Sequence, residues 1–115
     1  YFNYAKRNNS SFSLSEFNSF TSSEIEILKK ITSKGLHYEF NADDLNFFLE
    51  AEKKPIETQR QIRARFINNL NQKVEINFQL KEGIRRQKSS LDKRYTIYVL
   101  NEKLFEIIKQ NLGAV

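Results

Sequence analysis

The sequence predicts an α+β fold, and three observations carry that expectation. Apolar residues recur at helical spacing in several separate stretches, a period of two appears before residue 40 and again between residues 84 and 100, and capping or turn residues stand at the joins. At 115 residues the chain has the length of one domain. A domain of that size buries roughly 65% of the surface its unfolded chain exposes, enough for a core without staples. Apolar residues at 39%, with ten Phe and five Tyr, supply that core and exclude wholesale disorder.

Residues 1–13 read as a linker or lead-in, and residues 14–115 as the folded domain. Ser13 and Glu16 form a capping box with Phe12 and Phe17 as its staple, predicting a short helix over Leu14–Ser19. Thr21 and Glu24 repeat the device with Phe20 and Ile25 around it. The helix that follows turns Ile27, Leu28 and Ile31 inward and ends near Lys34, with Gly35 at the left-handed closing position. Leu36, Tyr38 and Phe40 alternate with His37 and Glu39, which predicts a short strand. Asn41 caps the next helix, whose first turn carries Asp43 and Asp44 and whose buried stripe is Leu45, Phe48 and Leu49. It is expected to stop near Glu52.

The link Lys53–Ile56 is short enough only for a tight helix-to-helix turn, and Pro55 suits the first turn of the helix after it. Ile62, Phe66 and Leu70 recur every four residues, so this helix is predicted over Pro55–Lys73. At about 100° per residue its outer arc collects Arg60, Gln61, Ala64, Arg65, Asn68 and Gln72. Val74, Ile76, Phe78 and Leu80 alternate with polar residues and predict an extended segment. A β-hairpin follows, with Ile84–Lys88 outgoing, Ser89–Lys93 turning and Arg94–Leu100 returning. Asn101 caps a last helix bearing Leu104, Phe105, Ile107, Ile108 and Leu112, closed by Gly113.

The net charge of +5 is unevenly spread. Residues 16–57 hold five Lys against nine Asp or Glu, whereas residues 58–94 hold ten Lys or Arg against Glu75, Glu82 and Asp92. A localised basic patch on a helix and a hairpin is the electrostatic footprint of a polyanion binder. Arg60, Gln61, Arg65 and Asn68 are therefore candidates for base-edge and phosphate contact, because Arg pairs with guanine, and Gln or Asn with adenine, in bidentate geometry. Arg85, Arg86, Lys88, Lys93 and Arg94 are candidates for backbone or minor-groove contact, in competition with the protection that basic residues give to hairpin edges.

The order helix, strand, helix, turn, basic helix, hairpin, helix is that of a winged helix-turn-helix domain. Its string RRQKSSLDKRYTIYVL resembles the wing of MarR-type transcription regulators, where Asp-x-Arg at the tip precedes an apolar strand. Here that is Asp92, Lys93, Arg94. The resemblance spans roughly Thr21–Leu100 and implies that Arg94 enters the minor groove while Asp92 holds the basic wing residues. After the wing the chain departs from that family, with VLNEKLF where a Leu-Thr and a later Gly are usual, and it lacks the long terminal helices of those dimers. A winged-helix domain is the inference, rather than membership of that family.

Without cysteine the chain has no disulfide, thiolate metal site or cysteine nucleophile, which fits an intracellular, cytoplasmic setting. It contains no apolar run of about 18 residues. The absence of methionine points to a segment of a longer protein, and the opening YFNYAKR matches either an ordinary lead-in or the flank of a membrane tether or sensor segment upstream of Tyr1. His37 reads as a strand histidine, Asp43 and Asp44 as dipole complements, Ser89 and Ser90 as turn residues, and no glycine-rich phosphate loop is present. The expectation is a protein without enzymatic activity, cofactor or metal that binds double-stranded DNA sequence-specifically as a transcription regulator, with a homodimer as the partner arrangement that paired half-sites favour. A protein-docking winged helix is the rival. RNA binding ranks below both, for lack of an aromatic platform on a sheet.

Overall fold

The computed structural model describes residues 12–113. The membrane-flank reading of YFNYAKR, and most of the lead-in, lie outside the described residues. Within them a 3-10 turn at Leu14–Phe17 precedes α1 (Ser22–Ser33), β1 (Glu39–Phe40), α2 (Ala42–Phe48), α3 (Ile56–Phe78), β2 (Ile84–Lys88), β3 (Thr96–Leu100) and α4 (Glu102–Leu112). The fold is α+β, its three strands forming one antiparallel sheet in the order β1-β3-β2. No helix among the described residues is long and apolar enough to cross a membrane.

Local chemistry sets the helix starts. Thr21 Oγ1 accepts from the Glu24 amide at 3.0 Å and the Glu24 carboxylate accepts from the Thr21 amide at 2.8 Å, closing the capping box of α1. Glu24 is buried, and its Oε1 also receives Lys73 Nζ at 2.7 Å, so the same carboxylate ties α1 to α3. Asn41 and Asp44 form the matching box on α2, and Asn101 accepts from the amides of Lys103 and Leu104 at the start of α4.

Five expectations are corrected. The segment after Lys73 is not extended: α3 continues to Phe78 and ends at Gln79, which adopts a left-handed conformation at φ 60°. Phe66, Leu70, Val74 and Phe78 form one buried stripe at a spacing of four, while Ile76 is 77% exposed, so the buried positions follow the helical period and not the alternation that mimicked a strand. The first strand is only Glu39–Phe40, because Gly35 and His37 take positive φ (109° and 68°) and hold the preceding residues in a turn. His37 is therefore a turn residue, with its Nε2 3.3 Å from Glu102. The helix capped by Asn41 ends at Phe48 rather than near Glu52, with Glu50 at φ 56° beyond it, and the segment after Ser13 makes a 3-10 turn rather than a helix to Ser19. The returning hairpin strand begins at Thr96, two residues later than Arg94.

The core lies between the helices and one face of the sheet. Leu28, Ile31, Phe40, Leu45, Leu70, Ile84, Leu104 and Ile108 are fully enclosed in it, and Phe17 and Phe20 pack with Phe78 at its far end. Where α3 meets the hairpin, Asn71 Oδ1 accepts from the Ile84 amide at 2.9 Å and Asn71 Nδ2 donates to the Ile84 carbonyl at 3.2 Å. The Asn71 carboxamide thus pairs with β2 as a neighbouring strand would, satisfying both backbone groups of Ile84. Gly83 sits against this contact. A Cβ there would lie 2.9 Å from Val74 Cγ2, 3.1 Å from Leu104 Cδ2 and 3.2 Å from Asn71 Oδ1. Gly83→Ala is expected to destabilise the fold by about 1–3 kcal/mol through overpacking, and Asn71→Ala by about 1–3 kcal/mol by orphaning the two Ile84 groups. Urea denaturation would measure both, and an unchanged midpoint in either variant contradicts the corresponding contact.

Candidate functional site

The turn between α2 and α3 decides how α3 is presented. Asn46, buried on α2, donates Nδ2 to Gln59 Oε1 at 3.2 Å and accepts from Arg63 NH1 at 2.9 Å. Gln59 Nε2 in turn donates to the Glu52 carbonyl at 3.0 Å, and the Ala51 amide returns to the Asn46 carbonyl at 2.8 Å. A buried carboxamide with its donor and acceptor both used costs little to bury and permits one arrangement of the two helices.

Beyond this anchor, one side of α3 stands clear of the core as far as Gln72. Arg60, Gln61, Ala64, Arg65, Asn68 and Gln72 are exposed, as the helical spacing predicts. Because α3 runs on to Phe78, it also exposes Glu75, so the acid-free stretch covers residues 58–74 of a longer helix. Arg60 pairs with Glu57 at 3.2 Å, one turn back on the surface. Arg65 lies on the other flank, beside a notch of about 240 Å³ shared with Thr21 and Ser23 at the start of α1.

The hairpin register sorts the basic residues. Arg85 pairs with Val99 and Arg86 with Tyr98, so these adjacent arginines point to opposite faces. Arg86 and Lys88 share the face of Ile84, which packs towards the helices, and Arg85 does not. A cleft of about 340 Å³ opens there between α3 and the sheet. Arg60, Arg63 and Arg86 line it together with Asn68, Tyr98, Ala64 and Ile67. The structure thus brings Arg60, Asn68 and Arg86 together, leaves Arg65 on the far flank of α3, and separates Arg85.

At the tip, Asp92 holds Arg94 by four contacts. Its Oδ1 accepts from the Arg94 backbone amide at 3.0 Å and Nε at 3.1 Å, and its Oδ2 accepts from Nε at 3.2 Å and NH2 at 2.7 Å. Arg94 remains 82% exposed, beside the Tyr95 ring. Ser90 Oγ donates to Glu39 Oε2 at 2.7 Å, fastening the connection to β1, while Lys88 and Lys93 are exposed and Leu91 is 94% exposed.

Arg63 is the site residue that sequence reasoning missed. It falls within the apolar arc of α3, one helical step from Phe66, and its partner Asn46 is 17 residues away in the chain. An arginine interrupting an apolar stripe was the available signal. Among the described residues no group of three His, Cys, Asp or Glu side chains is placed to hold a metal ion. Comparison with protein families, with curated proteins and with solved structures finds no match.

Arg94 also sets the protonation of Asp92. Its side-chain hydrogen bonds, and then its backbone one, hold the Asp92 carboxyl below the usual carboxylate range. A depressed carboxylate pKa means that the pairing is in place above the ordinary value and is lost as pH falls through the lowered one. Carboxyl-carbon NMR of Asp92 is expected to titrate at lower pH than in Arg94→Gln, where the midpoint returns upward. Equal midpoints would contradict the pairing.

Proposed function

We propose that this chain is a winged helix-turn-helix domain that binds double-stranded DNA sequence-specifically in the cytoplasm, as a transcription regulator or the DNA-binding part of one. In this reading α3 enters the major groove and the β2–β3 hairpin is the wing. The observation that carries it is the continuity of one basic surface across two elements: Arg60 and Asn68 of α3 meet Arg86 of the hairpin around a single cleft lined by no carboxylate. A solvated helix face and a protected strand edge would each explain one element, but neither explains their convergence.

The element order and the sheet order β1-β3-β2 support the winged-helix reading, because they put the hairpin beside the helix that follows the turn. The Asp92–Arg94 pairing supports the likeness of the tip to MarR-type wings. An α-helix of about 10–12 Å diameter fits a major groove about 12 Å wide, and the first turns of α3 present Gln61, Arg65 and Asn68 without an intervening acid.

A docking function is the second reading, favoured by the exposed apolar side chains of Phe47 and Ile56 on either side of the α2–α3 turn. Fluorescence anisotropy on duplex pools separates the two. Neutralising about five phosphates predicts a slope of about −4.5 for log affinity against log salt, or roughly 500-fold between about 50 and 200 mM. Arg65→Ala is expected to cost about 1–3 kcal/mol and to relax sequence preference, and Arg94→Ala to weaken all duplexes evenly and lower the slope by about 1. Salt-independent binding, or none to any duplex pool, would sink the DNA reading and leave docking.

A further inference from the structure

We infer that the cleft between α3 and the hairpin is a seat for a phosphate group, gripped by the guanidinium groups of Arg60, Arg63 and Arg86. Three like charges around about 340 Å³ repel one another, and the carboxylate nearest to any of them, Glu57, pairs with Arg60 outside the lining. Such a cluster makes a local positive field that attracts an anion all three can share. One carboxylate would satisfy one guanidinium, whereas a tetrahedral phosphate offers oxygens in several directions and matches the arginine fork bidentately.

Arg63 makes the cleft a built site. Of its five donors, NH1 is engaged by Asn46 at 2.9 Å, and Asn46 is itself buried and fixed by Gln59. The guanidinium is therefore held in place before any ligand arrives, and no other acceptor takes it up among the described residues. Arg86 likewise has no hydrogen-bond or ion-pair partner among them. Arg63, held in this way, binds without the ordering cost that the exposed Arg60 and Arg86 side chains incur.

The phosphate has two sources, a nucleic-acid backbone or a free phosphate compound. The first rests on the DNA reading: with α3 in the major groove and the hairpin towards the adjacent minor groove, the backbone strand dividing the two grooves crosses the mouth of the cleft. The second stands without it.

The full chain and its Arg63→Gln and Arg86→Gln variants test the seat in two arms. Arg86 lies on an exposed strand position, so its variant keeps the test valid if Arg63→Gln perturbs the helix turn. In the duplex arm, a backbone phosphate in the seat lowers the salt slope by about 1 in each variant while the ranking of duplex sequences stays unchanged. In the free-ligand arm, inorganic pyrophosphate shifts the Arg63 Nε–Hε NMR resonance saturably, and Arg86→Gln weakens that binding about tenfold. Either result supports the seat and identifies the source. Saturable pyrophosphate binding with no duplex bound supports the seat and overturns the DNA reading. Duplex binding with unchanged slopes and no saturable pyrophosphate shift overturns the seat and leaves the DNA reading intact; failure in both arms overturns both.

Discussion

The pairing of the Asn71 carboxamide with the backbone of Ile84 is the constraint on which the relation between α3 and the hairpin depends. An edge strand has a free row of backbone groups, and here a helix side chain takes the first of them. Gly83 permits the approach by having no Cβ between Val74 and Leu104. On the other side, the Asn101 amide donates to the Gly83 carbonyl at 2.7 Å and its Nδ2 to the Glu82 carbonyl at 3.1 Å, so the segment entering β2 is held from both directions. Asn101 also caps α4, and through it the hairpin's return and the last helix are fixed to the same point. Arg86 stands two residues beyond Ile84, and its position over α3 follows from that anchor.

A second carboxamide plays the corresponding part at the other end. Asn46 holds Gln59 and Arg63 and thereby sets the rotation of α3 about its own axis. The apolar stripe alone, with Phe66, Leu70, Val74 and Phe78 at four-residue steps, would tolerate some rotation, because hydrophobic contact is not directional. Hydrogen bonds with defined geometry remove that latitude. The surface α3 presents is thus specified by polar groups at both ends of its buried contact, with apolar residues supplying adhesion between them.

These two anchors also explain where the sequence was legible. Helix starts were readable because Thr21 with Glu24 and Asn41 with Asp44 are contacts over three residues, and the hairpin was readable because its period of two is local. The end of α3 was not, since Val74 and Phe78 satisfy a helical spacing and a strand alternation at once, and only the exposure of Ile76 decides between them. Asn46 with Arg63, and Asn71 with Ile84, join residues 17 and 13 apart, and no local pattern marks either partner. The candidate site was legible in the same measure: Arg60, Asn68 and Arg86 were identified by type, but the cleft they share with Arg63 exists only in the tertiary structure. Arg85 and Arg86 were grouped as neighbours, although strand alternation sends them to opposite faces.

The distribution of polar groups around α3 bears further on what its surface fits. Arg60 and Arg65 are five residues apart, about 140° around the axis, and Gln61, Asn68 and Gln72 fall between them at helical positions of about 80–120° from Arg60. A strip of carboxamides is therefore bordered by cations on both sides, with Arg60 facing the hairpin and Arg65 facing the start of α1. A docking surface for an acidic protein would gain most from cations at the centre, where desolvation strengthens them. A helix lying in a major groove has the opposite requirement: phosphates flank it on both walls, and base edges with mixed donors and acceptors face its middle. Carboxamides match mixed donor and acceptor edges, and guanidinium groups match phosphates. The order found across α3, cation then carboxamide then cation, is the one that the proposed seating of α3 in a major groove calls for.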